Sequence, residues 1–276
     1  MSVTRFAPSP TGFLHLGHAY AARVARDMAS DGGYLLRFED IDHTRVRSEY
    51  YDAARRDLEW LGLQPDRETD AQLGRSDRHG AVLEQLRALE AVYPCYCTRK
   101  EVEAEIASMT AAPHGPEGPL YPGTCRRLDP GQLTEFEEMG RQPAWRLDAE
   151  RVARLTGPLT IHDRRHGEVE VDPGLLGDLV LARKDIGTSY HLAVVVDDAD
   201  DGITLVTRGE DLLPATHVHR MLQKLLGLPE PEYFHHPLIT DETGRRLAKR
   251  DDARSIRHYR DQGLRPDEVL TMLPPD

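Results

Sequence analysis

The spacing of apolar residues switches between strand-like and helix-like along the first sixty positions. Val3 to Phe6 is a short apolar run and predicts a buried strand. Gly17 to Met28 then places Ala19, Ala22, Val24 and Ala25 on the inside of a helix. Tyr34 to Glu39 predicts a second strand, ending in Asp40-Ile41-Asp42. Ser48 to Leu61 sets Tyr51, Ala54, Leu58 and Leu61 on one helical face, and Gly62 stops it. Strand, helix, strand, helix is the pattern of a parallel α/β sheet. In such sheets ligands gather at the carboxyl ends of the strands.

Ala81 to Val92 reads as a further helix. Beyond Pro94 the texture changes: 111–123 is rich in Pro and Gly, a loop by composition. Short strands are expected at Ala144 to Leu147, Leu159 to Asp163 and Val169 to Val171. Leu179 to Arg183, Ala193 to Val196 and Ile203 to Arg208 read as apolar strands, and Pro214 to Leu226 as a helix closed by Gly227. The expected division is 1–93 for the first half of the α/β domain, 94–175 for an inserted subdomain and 176–240 for the second half. Residues 241–276 hold a basic loop and short helices.

Composition changes this picture little. The 276 residues are 39% apolar and 30% charged, ordinary for a globular chain. No apolar run approaches the ~18 residues of a membrane helix, and no export signal opens the chain. A cytoplasmic, monomeric protein with no membrane partner is expected. The net charge of −12 argues against a general nucleic-acid binder. It leaves room for a local basic surface, and Arg126-Arg127, Arg141, Arg146, Arg151, Arg154 and Arg164-Arg165 are either that surface or scattered solubilising charge. Cys95, Cys97 and Cys125 are the three cysteines, too few and too odd for a disulfide framework.

The chemistry starts at Arg5-Phe6-Ala7-Pro8-Ser9-Pro10-Thr11-Gly12-Phe13-Leu14-His15-Leu16-Gly17-His18. A strand runs through a Pro/Gly turn into His-x-Gly-His at a helix start, where backbone N–H groups and the helix dipole favour a phosphate. Gly17 removes a Cβ from the approach, and two imidazoles can donate to phosphate oxygens. The run resembles the HIGH signature of class I aminoacyl-tRNA synthetases, and Arg5 to Gly12 resembles their glutamyl branch. Gly244 to Arg250 resembles the KMSKS loop, with Arg246 for the first Lys, Ala248 for the Ser and Lys249 as the second Lys. The resemblance implies a Rossmann (HUP-type) parallel sheet with a zinc-bearing insert and a short helical C-terminus. It also implies that His15, Gly17, His18 and Lys249 bind ATP, and that His15, His18 and Lys249 stabilise the charge developing on the phosphate. Mg²⁺ is expected with the ATP.

Glutamate offers two carboxylates and an ammonium. Arg5 and Arg208 are bidentate partners for carboxylates, Glu39 suits the ammonium, and the Tyr190 hydroxyl can orient the substrate. By resemblance Arg5, Ala7, Ser9, Glu39, Tyr190 and Arg208 line a glutamate pocket. The plainer alternatives are a salt bridge from Arg208 to Glu210 or Asp211, and helix capping by Glu39 and Asp40. Cys95-x-Cys97 and Tyr121-x3-Cys125 resemble the zinc site of the glutamyl-queuosine branch. Thiolates suit Zn²⁺; the fourth ligand is Tyr121 or its rival His114, and the alternative is three buried thiols.

A glutamyl-tRNA synthetase continues into a large anticodon-reading region, whereas this sequence stops at Asp276. The resemblance is therefore to the short branch that activates glutamate with ATP, without tRNA. That branch esterifies the queuosine of tRNA(Asp). The rivals are a fragment charging a tRNA 3′ end, a non-catalytic nucleotide- or RNA-binding paralogue, and a nucleotidylyltransferase.

Overall fold

The computed structural model describes residues 1–109, 114–116, 118–239 and 255–275. In chain order it opens with β1 (Thr4–Phe6), α1 (Leu16–Asp27), β2 (Tyr34–Leu36), α2 (Ser48–Trp60), β3 (Arg67–Glu68) and α3 (Ser76–Ala88). The middle supplies β4 (Val92–Cys95), α4 (Arg99–Ser108), β5 (His114–Gly115), β6 (Gly118–Pro119), α5 (Pro130–Glu138), β7 (Ala144–Leu147), α6 (Ala149–Thr156), β8 (Thr160–Asp163), β9 (Gly167–Glu170) and β10 (Val180–Ala182). Then follow α7 (Tyr190–Asp200), β11 (Leu205–Gly209), α8 (Leu213–Leu226), β12 (Glu232–His236), α9 (Ile256–Asp261) and α10 (Pro266–Leu270).

Two groups of parallel strands meet at β1. β2 pairs in parallel with β1 and β3, and β12 pairs in parallel with β11 and β8. Thr204 and Leu205 donate their N–H groups to the Val3 carbonyl, which lays β11 beside β1. The strand order thus reverses between β1 and β11, where open α/β sheets bind their ligands. β4, β7 and β10 form a separate antiparallel sheet. β8, from the stretch read as inserted, joins the main sheet through Tyr233–Asp163.

The helical stripe of α1 packs as its spacing requires: Ala19, Ala22, Val24 and Ala25 are buried with Phe6, Tyr34, Leu36 and Leu58 in one core. Ile256, Val269 and Leu273 close the same core from the C-terminal helices. A second core joins α3, α6, α7 and α8. Gly227, at φ +65°, ends α8 as expected.

One sequence expectation is overturned. Ala193 to Val196 lies inside helix α7, not in a strand. Three consecutive valines favour strands, but here Leu192 through Val196 are all buried. A helix apolar on nearly all sides is stable when the core surrounds it. In addition, α3 starts at Ser76 and Val92 already begins β4. Among the described residues no helix is long and apolar enough to cross a membrane.

Candidate active site

His15 is the N-cap of α1, and its side chain folds back over the helix start. Gly17 N–H donates to His15 Nδ1 at 3.1 Å, and His15 N–H donates to His18 Nδ1 at 3.2 Å. Each Nδ1 is therefore an acceptor, so each ring carries its proton on Nε2. The rings lie 3.9 Å apart between centroids. A Cβ on Gly17 would sit 2.9 Å from His15 Cε1. Glycine is needed for the His15 ring itself, a closer reason than the phosphate approach. No acidic residue occupies the first turn of α1, which leaves its positive end to an anion. Beyond the run 240–254, the chain returns to the same place: Ser255 bridges His15, and Ile256 N–H donates to Leu14 O at 2.8 Å. Arg246, Ala248 and Lys249 lie outside the described residues.

The arginines converge at the ends of β1, β2 and β11. Arg5 Nε donates to Asp198 Oδ1 at 2.8 Å and Arg5 Nη1 to Thr207 O at 3.0 Å. Arg37, 0% exposed, donates to the same Asp198 oxygen at 2.6 Å and to Asp201 at 2.8 Å. Four acids near the C-terminal end of α7 oppose the helix dipole, and arginines offset them: Asp201 also takes Arg75, and Asp200 takes Arg78. Glu39 lies 3.8 Å from Arg37. Burial pushes its carboxyl up to about 7, with Arg37 and Arg5 pulling the other way. Ala7 and Ser9 flank Pro8, whose carbonyl accepts Glu39 N–H at 3.1 Å. Tyr190 starts α7, and its hydroxyl accepts from Arg208 Nη1 at 3.2 Å. Arg208, Glu39, Arg5 and Asp198 all act electrostatically on Tyr190, so four of the six residues expected from sequence, Arg5, Glu39, Tyr190 and Arg208, lie near one another.

Neither plain alternative is formed. Among the described residues no carboxylate pairs directly with Arg208, and Glu210 is bound to Arg165 at 2.9 Å. α2 is not capped by Glu39 or Asp40; Asp40 instead accepts the Tyr51 hydroxyl at 2.6 Å and Leu73 N–H at 2.7 Å.

The three thiols of Cys95, Cys97 and Cys125 lie within 4.8 Å of one another, from β4, the turn after it and the turn at Thr124–Arg127. The Tyr121 oxygen is 3.5 Å from Cys95 Sγ and 3.6 Å from Cys97 Sγ. Zn–S of about 2.3 Å and Zn–O of about 2.0 Å at a tetrahedral angle separate S from O by about 3.5 Å. The donor set therefore fits zinc in size and softness. The Arg146 guanidinium lies 3.7 Å over the Tyr121 ring, a cation beside a cluster that becomes anionic when its thiols ionise. His114, exposed on β5, is not in this group.

The family model for tRNA synthetases class I (E and Q), catalytic domain, matches residues 1–274. The chain belongs to this family. A glutamyl-Q tRNA(Asp) synthetase of Rhodobacter capsulatus is 46% identical, over 98% of this chain and 99% of that protein. One of Deinococcus radiodurans is 45% identical, over 99% and 88%. A crystal structure of a glutamate tRNA ligase from Elizabethkingia meningosepticum, in complex with its amino acid, superposes with a TM-score of 0.76 at 28% identity. It matches 91% of this chain, which spans 52% of that one.

Sequence reasoning assigned no role to several residues that the structure brings into this site. Arg37 and Asp198 lie within the runs Arg37 to Asp42 and Tyr190 to Asp198 but were given no role, and no local motif marks His219 or His235; their contacts join distant segments. The paired aspartates of Asp197-Asp198, in a helix otherwise apolar, were the available signal. The arginines considered as an RNA surface are mostly engaged with acids. Arg126 binds Asp178, Arg141 approaches Glu101, Arg151 binds Glu90, Arg154 binds Glu150, and Arg164 binds Glu232.

Proposed function

We propose that the chain activates L-glutamate with ATP, without tRNA, and transfers it to a hydroxyl of the queuosine cyclopentenediol in tRNA(Asp). The observation that carries this reading is the near end-to-end match to relatives named glutamyl-Q tRNA(Asp) synthetase, joined to the gathering of Arg5, Arg208 and Glu39 around Tyr190.

The substrate α-carboxylate oxygen attacks the α-phosphorus of ATP, and the bond to the leaving pyrophosphate breaks. Such chemistry asks the protein for position and charge stabilisation. The Nε2–H groups of His15 and His18, at the positive end of α1, donate to the phosphate oxygens as charge develops. Lys249 adds a cation from the KMSKS-like segment. Glu39, when ionised, holds the ammonium. A queuosine hydroxyl then attacks the glutamyl carbonyl and AMP leaves, giving an ester. Mg²⁺ bound with ATP would neutralise phosphate charge. Zinc, held by Cys95, Cys97, Cys125 and Tyr121, would tie β4 to the turn at Thr124–Arg127. Its role there is structural, since four protein ligands leave no open position.

The test is acceptance of labelled glutamate by tRNA(Asp) from queuosine-making cells and from cells that cannot make queuosine. Label only in the first pool supports the reading. Equal label in both, or label released with the 3′-terminal adenosine, refutes it in favour of 3′-end charging.

A further inference from the structure

Arg5 and Arg208 are held in opposite ways. Arg5 is bound directly to a carboxylate, Asp198. Among the described residues Arg208, 6% exposed, is bound only by uncharged groups. Its Nε donates to His235 Nε2 at 3.2 Å, its Nη2 to Thr216 Oγ1 at 2.6 Å, and its Nη1 to Tyr190 Oη at 3.2 Å. Nη1 also lies 3.1 Å from His219 Nδ1.

Arginine has no acceptor, so these contacts settle the tautomers of two histidines. His235 Nε2 and His219 Nδ1 must both present lone pairs. The His235 proton is then on Nδ1 and is donated to Asp163 Oδ2 at 2.6 Å. The His219 proton is on Nε2 and is donated to His191 Nδ1 at 3.2 Å. Asp163 is held in turn by the N–H groups of Arg165, His166 and His235. Five elements, β8, β12, β11, α8 and α7, thus contribute one continuous chain, Asp163–His235–Arg208–His219–His191. Asp163, His235 and His219 are all nearly solvent-free.

Such a cradle orients a guanidinium without pairing its charge. Asp163 stands behind one of these acceptors, where it makes His235 a better acceptor, as second-layer carboxylates do for metal-bound histidines. A carboxylate in direct contact would compete with a ligand carboxylate; a neutral acceptor does not. We propose that His235 and His219 are positioning residues that hold Arg208 ready for a substrate carboxylate, and that their neutrality makes Arg208, rather than Arg5, the guanidinium that selects a dicarboxylic amino acid. This rests on the glutamate-activating reading above.

The experiment is glutamate-dependent ATP–pyrophosphate exchange with the full chain. The Michaelis constants for glutamate and ATP are measured separately, and folding is checked by thermal melting. His235→Leu and His219→Leu remove the acceptors and are expected to raise the glutamate KM at least tenfold, with the ATP KM within twofold. Gln places an oxygen near the Nε2 position and Asn near the Nδ1 position. His235→Gln and His219→Asn should therefore restore the glutamate KM to within about threefold of the native value. His219→Asp should orient Arg208 yet pair its charge, and is expected to raise the glutamate KM further than His219→Leu. The proposal is overturned if the Leu variants keep a native glutamate KM or shift both constants together. It is also overturned if the amide variants are as impaired as the Leu variants, or if His219→Asp binds glutamate normally. A native enzyme with no glutamate-dependent exchange would instead remove the underlying reading, and the proposal with it.

Discussion

Asp198→Asn is the substitution whose effect can be worked most directly from contacts. One Asp198 oxygen takes hydrogen bonds from Arg5 at 2.8 Å and Arg37 at 2.6 Å, and both guanidiniums are buried. Asn keeps the volume and an acceptor but removes the charge. Arg37 retains Asp201 at 2.8 Å; among the described residues Arg5 retains only the Thr207 carbonyl as a direct partner. Removing one partner of a buried ion pair costs about 3–5 kcal/mol, because a buried charge is left uncompensated. That is a large share of a total stability of about 5–15 kcal/mol. At roughly 2–4 °C per kcal/mol for chains near this size, melting should drop by about 6–20 °C. The control sits on the same helix. Asp200→Asn breaks a pair with Arg78 in which both side chains are more than a third exposed, and should cost under about 1 kcal/mol. The pH dependence has a definite sign. Arg5 and Arg37 hold the Asp198 carboxyl below its usual range against the effect of burial. A depressed folded-state value contributes stability above the unfolded carboxylate pKa of about 4, lost as pH falls through the folded value. The gap between native and Asp198→Asn proteins should be constant from about pH 5 to 8 and shrink below about 4. Melting curves for Asp198→Asn and Asp200→Asn that coincide at neutral pH would refute this account of the pocket.

Three further outcomes are expected. Glu39 titrates at about 7 and must be ionised to hold an ammonium, so kcat/KM for glutamate in exchange should fall as pH drops below that value, up to about tenfold per unit. A limb that survives in Glu39→Gln belongs to another group. Gly17→Ala should displace the His15 ring and slow exchange by roughly 10–100-fold without lowering the melting temperature, because Ala favours a helix by about 1 kcal/mol over Gly; unchanged exchange would detach Gly17 from the His15 geometry. Purified protein should hold one zinc per chain, and Cys125→Ser should lose it. Elemental analysis after Tyr121→Phe and His114→Ala decides the fourth ligand, with metal loss expected only in the first.

What was legible in the sequence is what local rules govern. The apolar spacing of α1, α2 and α8 and the Gly stops at 62 and 227 are short-range signals, and each element formed near its expected bounds. His15, Gly17 and His18 are legible because one helix turn brings them together, and the cysteines because soft ligands are scarce in this chain. Where a local signal was ambiguous, the fold decided. The run Ala193 to Val196 fits a strand by propensity, but packing on all sides made it a helix. That choice put Asp198 on α7 facing Arg5, 193 residues earlier, and Arg37, 161 residues earlier. The cradle of Arg208 is likewise tertiary: Asp163 and His235 meet across 72 residues, through the parallel pairing of β8 and β12. The amino-acid sequence by itself determined which chemical groups were available and which short segments would be strands or helices. Only the tertiary structure decided which charges are paired and which stay open, because that depends on burial and on contacts between distant segments, and no local pattern encodes either.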